Sequence, residues 1–358
     1  MDAALSQLCE TVRAATAART PLQIEAGGTK HFYGNAAHGI VLDPRSVSGI
    51  VDYEPTELVV TARAGTSLAE LEHLLAENGQ MLAFEPPHFG AGATVGGCIA
   101  AGLSGPRRVS FGPTYGGVRD FVLGTRLVDG RGELLTFGGT VMKNVAGYDV
   151  SRVLAGSLGI LGVIVEVSLK VLPRPVAHHT LRFQASAEQA VDRLNEWSGQ
   201  PLPLSASAWN DGVLSLRLAG AAAAVSAARR QLGGEDIATE SADAFWNSIR
   251  EQTHAFFSGG LPLWRVALPS SAPGLSIRCP QLIEWSGALR WLRTDEPAGQ
   301  VRECAAQAGG HATLFRGGDR SAGAFTPLTP ALLAIHQRLK VQFDPAGIFN
   351  PGRLYAEL

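Results

Sequence analysis

The 358 residues suffice for two or three hydrophobic cores, and 46% apolar with 17% charged residues describes a folded globular chain and excludes a disordered one. A formal net charge of -2 offers no broad electrostatic basis for a nucleic-acid partner or an anionic membrane surface. The four cysteines, Cys9, Cys98, Cys279 and Cys304, are far apart and form no C-x-x-C, so disulfides, zinc ribbons and iron–sulfur clusters lack support and a reducing, cytoplasmic compartment fits best.

Leu5, Leu8, Val12 and Ala15 recur at helical spacing, which predicts a short amphipathic opening helix before Pro21 and no signal-peptide core. Short strands follow at Leu22 to Glu25, Ile40 to Leu42, Gly49 to Tyr53 and Leu58 to Ala62, separated by Gly, Pro and Asp. Thr66 or Ser67 caps a helix through Glu77 that stops at Asn78-Gly79. Phe121 to Val128 and Glu133 to Phe137 flank Asp129-Gly130-Arg131-Gly132 as a hairpin, and Val163 to Leu172 alternates as a strand until Pro173-Arg174-Pro175 breaks it.

Beyond that break the composition shifts, and the first domain boundary is placed there. Strands are expected at His179 to Gln184, Leu204 to Trp209, Val213 to Leu218, Trp264 to Leu268, Gln281 to Leu292 and His311 to Arg316. Helices are expected at Glu188 to Trp197, Ala221 to Leu232, Asp243 to Phe257 and Pro297 to Ala308, with a last one at Pro330 to Phe343. The mixture predicts an α+β layer built on an antiparallel sheet. No apolar run reaches the length of about 18 residues that a spanning helix needs, so membrane contact would be peripheral.

Three segments carry candidate chemistry. Ala26-Gly27-Gly28-Thr29-Lys30 follows a strand; consecutive glycines can turn amide N–H groups toward a phosphate, although an ordinary turn reads the same way. The run from Gly90 to Gly105, with Thr94, Val95, Gly96, Gly97, Gly102, Ser104 and Gly105, leaves room for a pyrophosphate to approach the backbone or for a tight helix–strand packing. Lys143-Asn144-Val145-Ala146-Gly147-Tyr148-Asp149 is followed by glycines 156, 159 and 162 and by a strand whose main chain can face a flat polar ring. G-x-G-x-x-G and G-x-S-x-G are both absent, which argues against a Rossmann NAD site and a serine hydrolase.

Together, and with Arg119-Asp120-Phe121-Val122-Leu123-Gly124 and the terminal Asp344-Pro345-Ala346-Gly347-Ile348-Phe349-Asn350-Pro351-Gly352-Arg353, these segments resemble the PCMH-type FAD-binding domain of the vanillyl-alcohol oxidase superfamily, and within it the FAD-binding subunits of bacterial glycolate oxidases. The resemblance implies an α+β chain in three parts: a two-subdomain FAD-binding domain over residues 1–175, a smaller α+β cap with an antiparallel sheet over 176–326, and a C-terminal segment, 327–358, packing back on the FAD domain. It implies FAD contacts from Gly27, Gly28, Thr29, Thr94, Val95, Gly96 and Gly97, from the second turn at Gly102, Ser104 and Gly105, and from the backbone of Gly162, Val163 and Ile164.

Covalent members of the superfamily tether the flavin through a His in the first glycine loop, where this chain has Thr29 and Lys30, so a non-covalent FAD is expected and His31 is an ordinary loop residue. The cap lacks the His and Glu clusters of stand-alone D-2-hydroxyacid dehydrogenases; His311 stands alone and reads as a strand residue rather than a metal ligand. The resemblance implies oxidation of a short 2-hydroxy acid, glycolate to glyoxylate, within a complex that includes a paralogous FAD-binding catalytic subunit and a separate iron–sulfur subunit. A self-sufficient hydroxyacid dehydrogenase and a non-catalytic electron-relay subunit remain as alternatives. Arg265, Arg278, Arg290 and Arg316 are unranked candidates for binding a substrate carboxylate, and Arg107-Arg108 for a phosphate contact or a plain surface pair. Trp246, Trp264, Trp285 and Trp291 read as core or interface.

Overall fold

A computed structural model describes residues 2–108, 116–140 and 149–358, so the Lys143 to Tyr148 part of the third segment lies outside the described residues. The opening helix, Ala3–Ala18, starts where the Asp2 carboxylate accepts from the Leu5 amide (2.9 Å) and buries the predicted stripe of Leu5, Leu8, Val12 and Ala15, with Cys9 beside it. That stripe rests on a parallel pair, Leu22–Ile24 with Ile40–Leu42, and on Val128, Val163 and Val165 of a larger sheet.

The larger sheet has five antiparallel strands in the order Ile50–Glu54, Val59–Arg63, Val163–Lys170, Val122–Val128, Leu134–Gly138. Its other face packs on the helices Leu68–Glu77 and Val95–Ala101 through Leu68, Leu71, Leu75, Cys98 and Ile99. The helix Val95–Ala101 was not expected, because a run of Val, Gly, Cys, Ile and Ala has weak helical propensity; Thr94 caps it and burial of one face holds it. The predicted strand Val163 to Leu172 ends at Lys170, and Leu172–Pro173 leaves to pair with Gln80–Met81.

The cap is a single eight-stranded antiparallel sheet in the order Glu235–Ile237, Ala177–Gln184, Val213–Gly220, Leu204–Asn210, Gln281–Glu284, Leu289–Arg293, Leu263–Ala267, His311–Arg316. Helices Ala187–Ser198, Ala222–Leu232, Thr239–Arg250 and Ala298–Gln307 accompany it. Two expectations are corrected here. Gln281 to Leu292 is not one strand but a hairpin, because Trp285, Ser286 and Gly287 all take positive φ (52°, 54° and 99°) and reverse the chain. The helix expected to reach Phe257 stops at Arg250: Gln252 turns left-handed (φ 54°), and the Glu251 carboxylate accepts the amides of His88 and Phe89 from the other domain.

The last helix, Pro330–Phe343, returns to the N-terminal half. Lys340 Nζ is buried and donates to Ile160 O (2.7 Å), Phe349 O (2.8 Å) and the Asp344 carboxylate (2.8 Å), so its charge and all three of its donors are satisfied. Asn350 then stitches two segments together, its side chain accepting from the Ile24 amide (2.7 Å) and donating to Leu158 O (2.6 Å). Between cap and N-terminal half, the Glu85 carboxylate accepts two bonds from Arg217 (2.8 and 2.9 Å) and two from Arg107, through its amide (3.1 Å) and Nε (3.3 Å), and Trp285 Nε1 donates to Gly105 O (3.0 Å).

Candidate functional site

Two clefts flank a common wall made by the end of the helix Val95–Ala101 and the turn 155–158. The turn is bound to the helix by amides of Gly156 and Leu158 donating to Ile99 O (3.0 Å) and Ala100 O (2.9 Å). Ala100, Ala101 and Leu158 face the first cleft, Gly102 and Ala155 the second.

The first cleft, about 650 Å3 counting its open mouth, has one wall made by the small residues Gly27, Gly28, Thr29, Gly92, Thr94 and Gly97. Gly27 is required there by close approach, since a Cβ at that position would lie 1.5 Å from Gly92 O. Thr94 Oγ1 accepts from the Gly97 amide (3.1 Å) and keeps its own proton to donate. Lys30 supplies positive charge: its Nζ donates to His88 O (3.2 Å) and Thr29 Oγ1 (3.4 Å), and burial holds its pKa below the usual lysine value. At the same cleft Glu25 lies 3.3 Å from His31 Nδ1, and Arg353 donates to the carbonyls of Asn35 and His31.

The second cleft, about 1100 Å3 counting its open mouth, lies between the N-terminal half and the cap sheet and takes charged and aromatic side chains from both. Arg108 comes from the N-terminal half; Arg265, Trp285 and His311 come from the cap sheet. The Arg108 and Arg265 guanidinium carbons sit 4.5 and 5.2 Å from the centroid of the Trp285 indole ring. Arg265 also borders a small chamber between the domains, where Trp291 Nε1 donates to the Glu284 carboxylate (2.7 Å). Burial pushes Glu284 up to about 7.

The structure gathers some of the expected site residues and scatters others. Gly27, Gly28, Thr29, Thr94 and Gly97 meet at the first cleft and Gly102 at the second. Ser104 and Gly105 border the small chamber, where Ser104 Oγ has no hydrogen-bond partner among the described residues. Val95 and Gly96 are buried in packing, Gly96 against Ala64. Gly162, Val163 and Ile164 line neither cleft: Val163 packs under the opening helix, Ile164 in the main core, and Gly162 against Val128 O.

Of the four arginines sequence could not rank, Arg265 lines a cleft; Arg290 is spent on the carbonyls of Ala272 and Pro273, Arg316 lies over Phe32 (4.3 Å), and Arg278 is exposed. Arg107 and Arg108 part company, the first pairing with Glu85 and the second facing the cleft. Sequence reasoning gave no role to Lys30, Glu25 or Arg353 at the first cleft; only Lys30, two residues beyond the glycine pair, carried a local signal. Trp285 is buried as expected but is also a cleft wall. Among the described residues no group of three or more His, Cys, Asp or Glu is placed to hold a metal, and no helix is long and apolar enough to cross a membrane.

Residues 4–152 match the FAD binding domain family. Over 351 residues the chain is 51% identical to the glycolate oxidase subunit GlcE of Escherichia coli K12, covering 98% of this chain and 97% of that one. It is 30% identical over 165 residues to the glycolate oxidase subunit GlcD of Bacillus subtilis 168 (46% of this chain, 34% of that one), and 34% identical over 137 residues to a D-lactate dehydrogenase of Anaerostipes hadrus (38% and 28%). In fold alone it is similar to a solved structure of alkyldihydroxyacetonephosphate synthase, with a TM-score of 0.65 at 16% identity over 96% of this chain and 75% of that one. With near-complete coverage at this identity, and with the glycine-lined cleft inside the matched region, the chain belongs to the family of the glycolate oxidase subunit GlcE and carries an FAD-binding domain in its N-terminal half.

Proposed function

We propose that this chain is the FAD-bearing subunit of a complex that oxidises glycolate to glyoxylate, and that it holds FAD non-covalently along the two clefts. The reading rests above all on one observation: the backbone-lined cradle of the first cleft, with Lys30 in its wall, matches a diphosphate in shape and charge. Gly27, Gly28, Thr29, Thr94 and Gly97 would hold that group, Lys30 would neutralise part of its charge, and Glu25 is an acceptor for ribose hydroxyls. Gly102, on the wall between the clefts, would then lead the remainder of an elongated dinucleotide toward the mouth of the second cleft. Once bound, FAD supplies the two-electron acceptor for the α-hydrogen of a 2-hydroxy acid. The residue division at 175 and 326 belongs to the same proposal.

Non-covalent binding is part of the proposal because Thr29 and Lys30 follow Gly28 where covalent members of the superfamily carry the tethering His. For onward electron transfer this chain offers four separate cysteines, three of them buried, with burial pushing Cys98 up to about 12. A separate iron–sulfur subunit and a paralogous FAD-binding subunit are the partners this implies; the likeness to GlcD over the FAD-binding half supports the second. A cytoplasmic location, with membrane contact through partners, completes the reading.

The test is to purify the full chain and record its visible spectrum. A flavin spectrum is expected, with the flavin leaving in the supernatant on acid precipitation. Glycolate and D-lactate are then offered with a dye acceptor, before and after the partner subunits are added. Turnover only with partners supports the subunit reading, turnover by the chain alone points to a self-sufficient dehydrogenase, and a colourless protein defeats the cofactor assignment.

A further inference from the structure

The second cleft holds more positive charge than its surroundings use. Arg108 and Arg265 share one indole, that of Trp285, and their like charges repel across it. Neither guanidinium makes a hydrogen bond or ion pair with a protein acceptor among the described residues. Among the described residues no carboxylate lines the cleft, which Arg119 and His311 also border. Of the acidic groups whose fields reach this pair, Asp120 accepts from the Gly117 amide (2.7 Å), Glu284 accepts from Trp291 Nε1, and burial pushes the Tyr33 phenol up and keeps it neutral. With its titration raised to about 7, Glu284 is also a weak counter-charge. Two unpaired guanidiniums set into a cleft of about 1100 Å3 cost free energy that a bound anion would offset.

We infer that Arg108 and Arg265, fixed on Trp285, form a carboxylate-binding subsite for a small 2-hydroxy acid, so that this chain has a substrate pocket of its own. The inference rests on the proposed function and sharpens it. A guanidinium presents parallel N–H groups that match a carboxylate in two-point fashion, and stacking on an indole fixes its plane before the anion arrives. A cofactor diphosphate is a poorer candidate for this position, because the glycine cradle and Lys30 lie on the far side of the wall in the first cleft. One arginine comes from each domain, so the subsite forms only when cap and FAD domain are docked, as the Glu85–Arg217 contact holds them. Trp285 supports the arginines as a positioning residue.

The probe is glycolate itself, titrated by calorimetry into the full chain after its flavin content has been measured, with D-lactate as a second ligand. Arg108→Gln and Arg265→Gln are each expected to weaken glycolate binding tenfold or more while keeping the wild-type flavin content, which also reports that they fold. Arg230→Gln, on an exposed helix face, should bind as wild type does. Flavin-loaded wild-type protein that binds neither acid overturns the subsite, as do variants that bind glycolate normally. Variants that lose FAD instead overturn it too, because the arginines would then serve the cofactor. Wild-type protein that binds glycolate but carries no flavin leaves the subsite standing and defeats the cofactor assignment, so the two readings fail separately.

Discussion

The two clefts recognise by different means. One wall of the first is shaped by main chain, where Gly27 lets one backbone lie against Gly92, and its charged side chains, Lys30, Arg353 and Glu25, stand around that wall. The second is shaped by side chains from distant parts of the sequence, two arginines and a tryptophan held by a sheet and a loop that meet only across the domain interface. Backbone recognition suits a constant group such as a diphosphate, whose geometry does not vary. Side-chain recognition can be retuned by one substitution, which suits the part of a ligand that distinguishes substrates.

The contrast can be broken most severely at Gly27. Gly27→Ala forces a methyl against Gly92 O with backbone on both sides, so a loss of about 3 kcal/mol or more in urea-unfolding free energy is expected together with loss of bound flavin. If the variant keeps its flavin and its stability, the cradle is wrongly assigned.

The small chamber beside the second cleft should instead show its character in pH dependence. Glu284 is buried and its folded pKa is raised from 4.5 to about 7, so the folded state holds a proton that the unfolded state releases earlier. Its contribution is fully present below pH 4.5 and is lost as pH rises through 7. Glu284→Gln should remove that decline, leaving the variant more stable than wild type at pH 8 by on the order of 3 kcal/mol and nearly equal to it at pH 4. Parallel stability curves for the two proteins across this range would show that Glu284 does not titrate as described.

A smaller effect is expected where the two regions are joined. Glu85→Ala leaves Arg107 and Arg217 without the carboxylate that now accepts from both, in a partly solvated setting, at a cost of about 2 kcal/mol. The expected signature is selective: glycolate affinity in the second cleft should fall, while flavin retention by the first changes little. Equal losses in both would mean that the clefts are coupled through the wall at Ala100 to Gly102 and not through domain docking.

Much of this was legible in the chain because the relevant physics is local. The stripe of Leu5, Leu8, Val12 and Ala15, the stop at Asn78-Gly79 and the hairpin around Asp129-Gly130 follow from periodicity and turn chemistry alone. The hairpin at Trp285-Ser286-Gly287 was not legible, since bulky apolar neighbours mask a reversal that only cap packing and the bond to Gly105 stabilise. The glycine run from Gly90 to Gly105 was legible as a place of close approach but not as to what approaches. Gly96 turns out to meet Ala64 and Gly102 the Gly156 backbone at the edge of the second cleft, whereas Gly97 faces the first cleft and Gly105 borders the small chamber.

By itself, then, the sequence determined the α+β architecture, the glycine cradle and the likeness to FAD-binding relatives, because glycine content and short-range periodicity act within a few residues of one another. Only the tertiary structure decided which charged side chains share a cavity. Arg108 and Arg265 are separated by more than 150 positions, and nothing local distinguishes Arg265 from Arg278 or Arg290; the strand register that sets Arg265 opposite Trp291, two pairs away from Ala267 and His311, does.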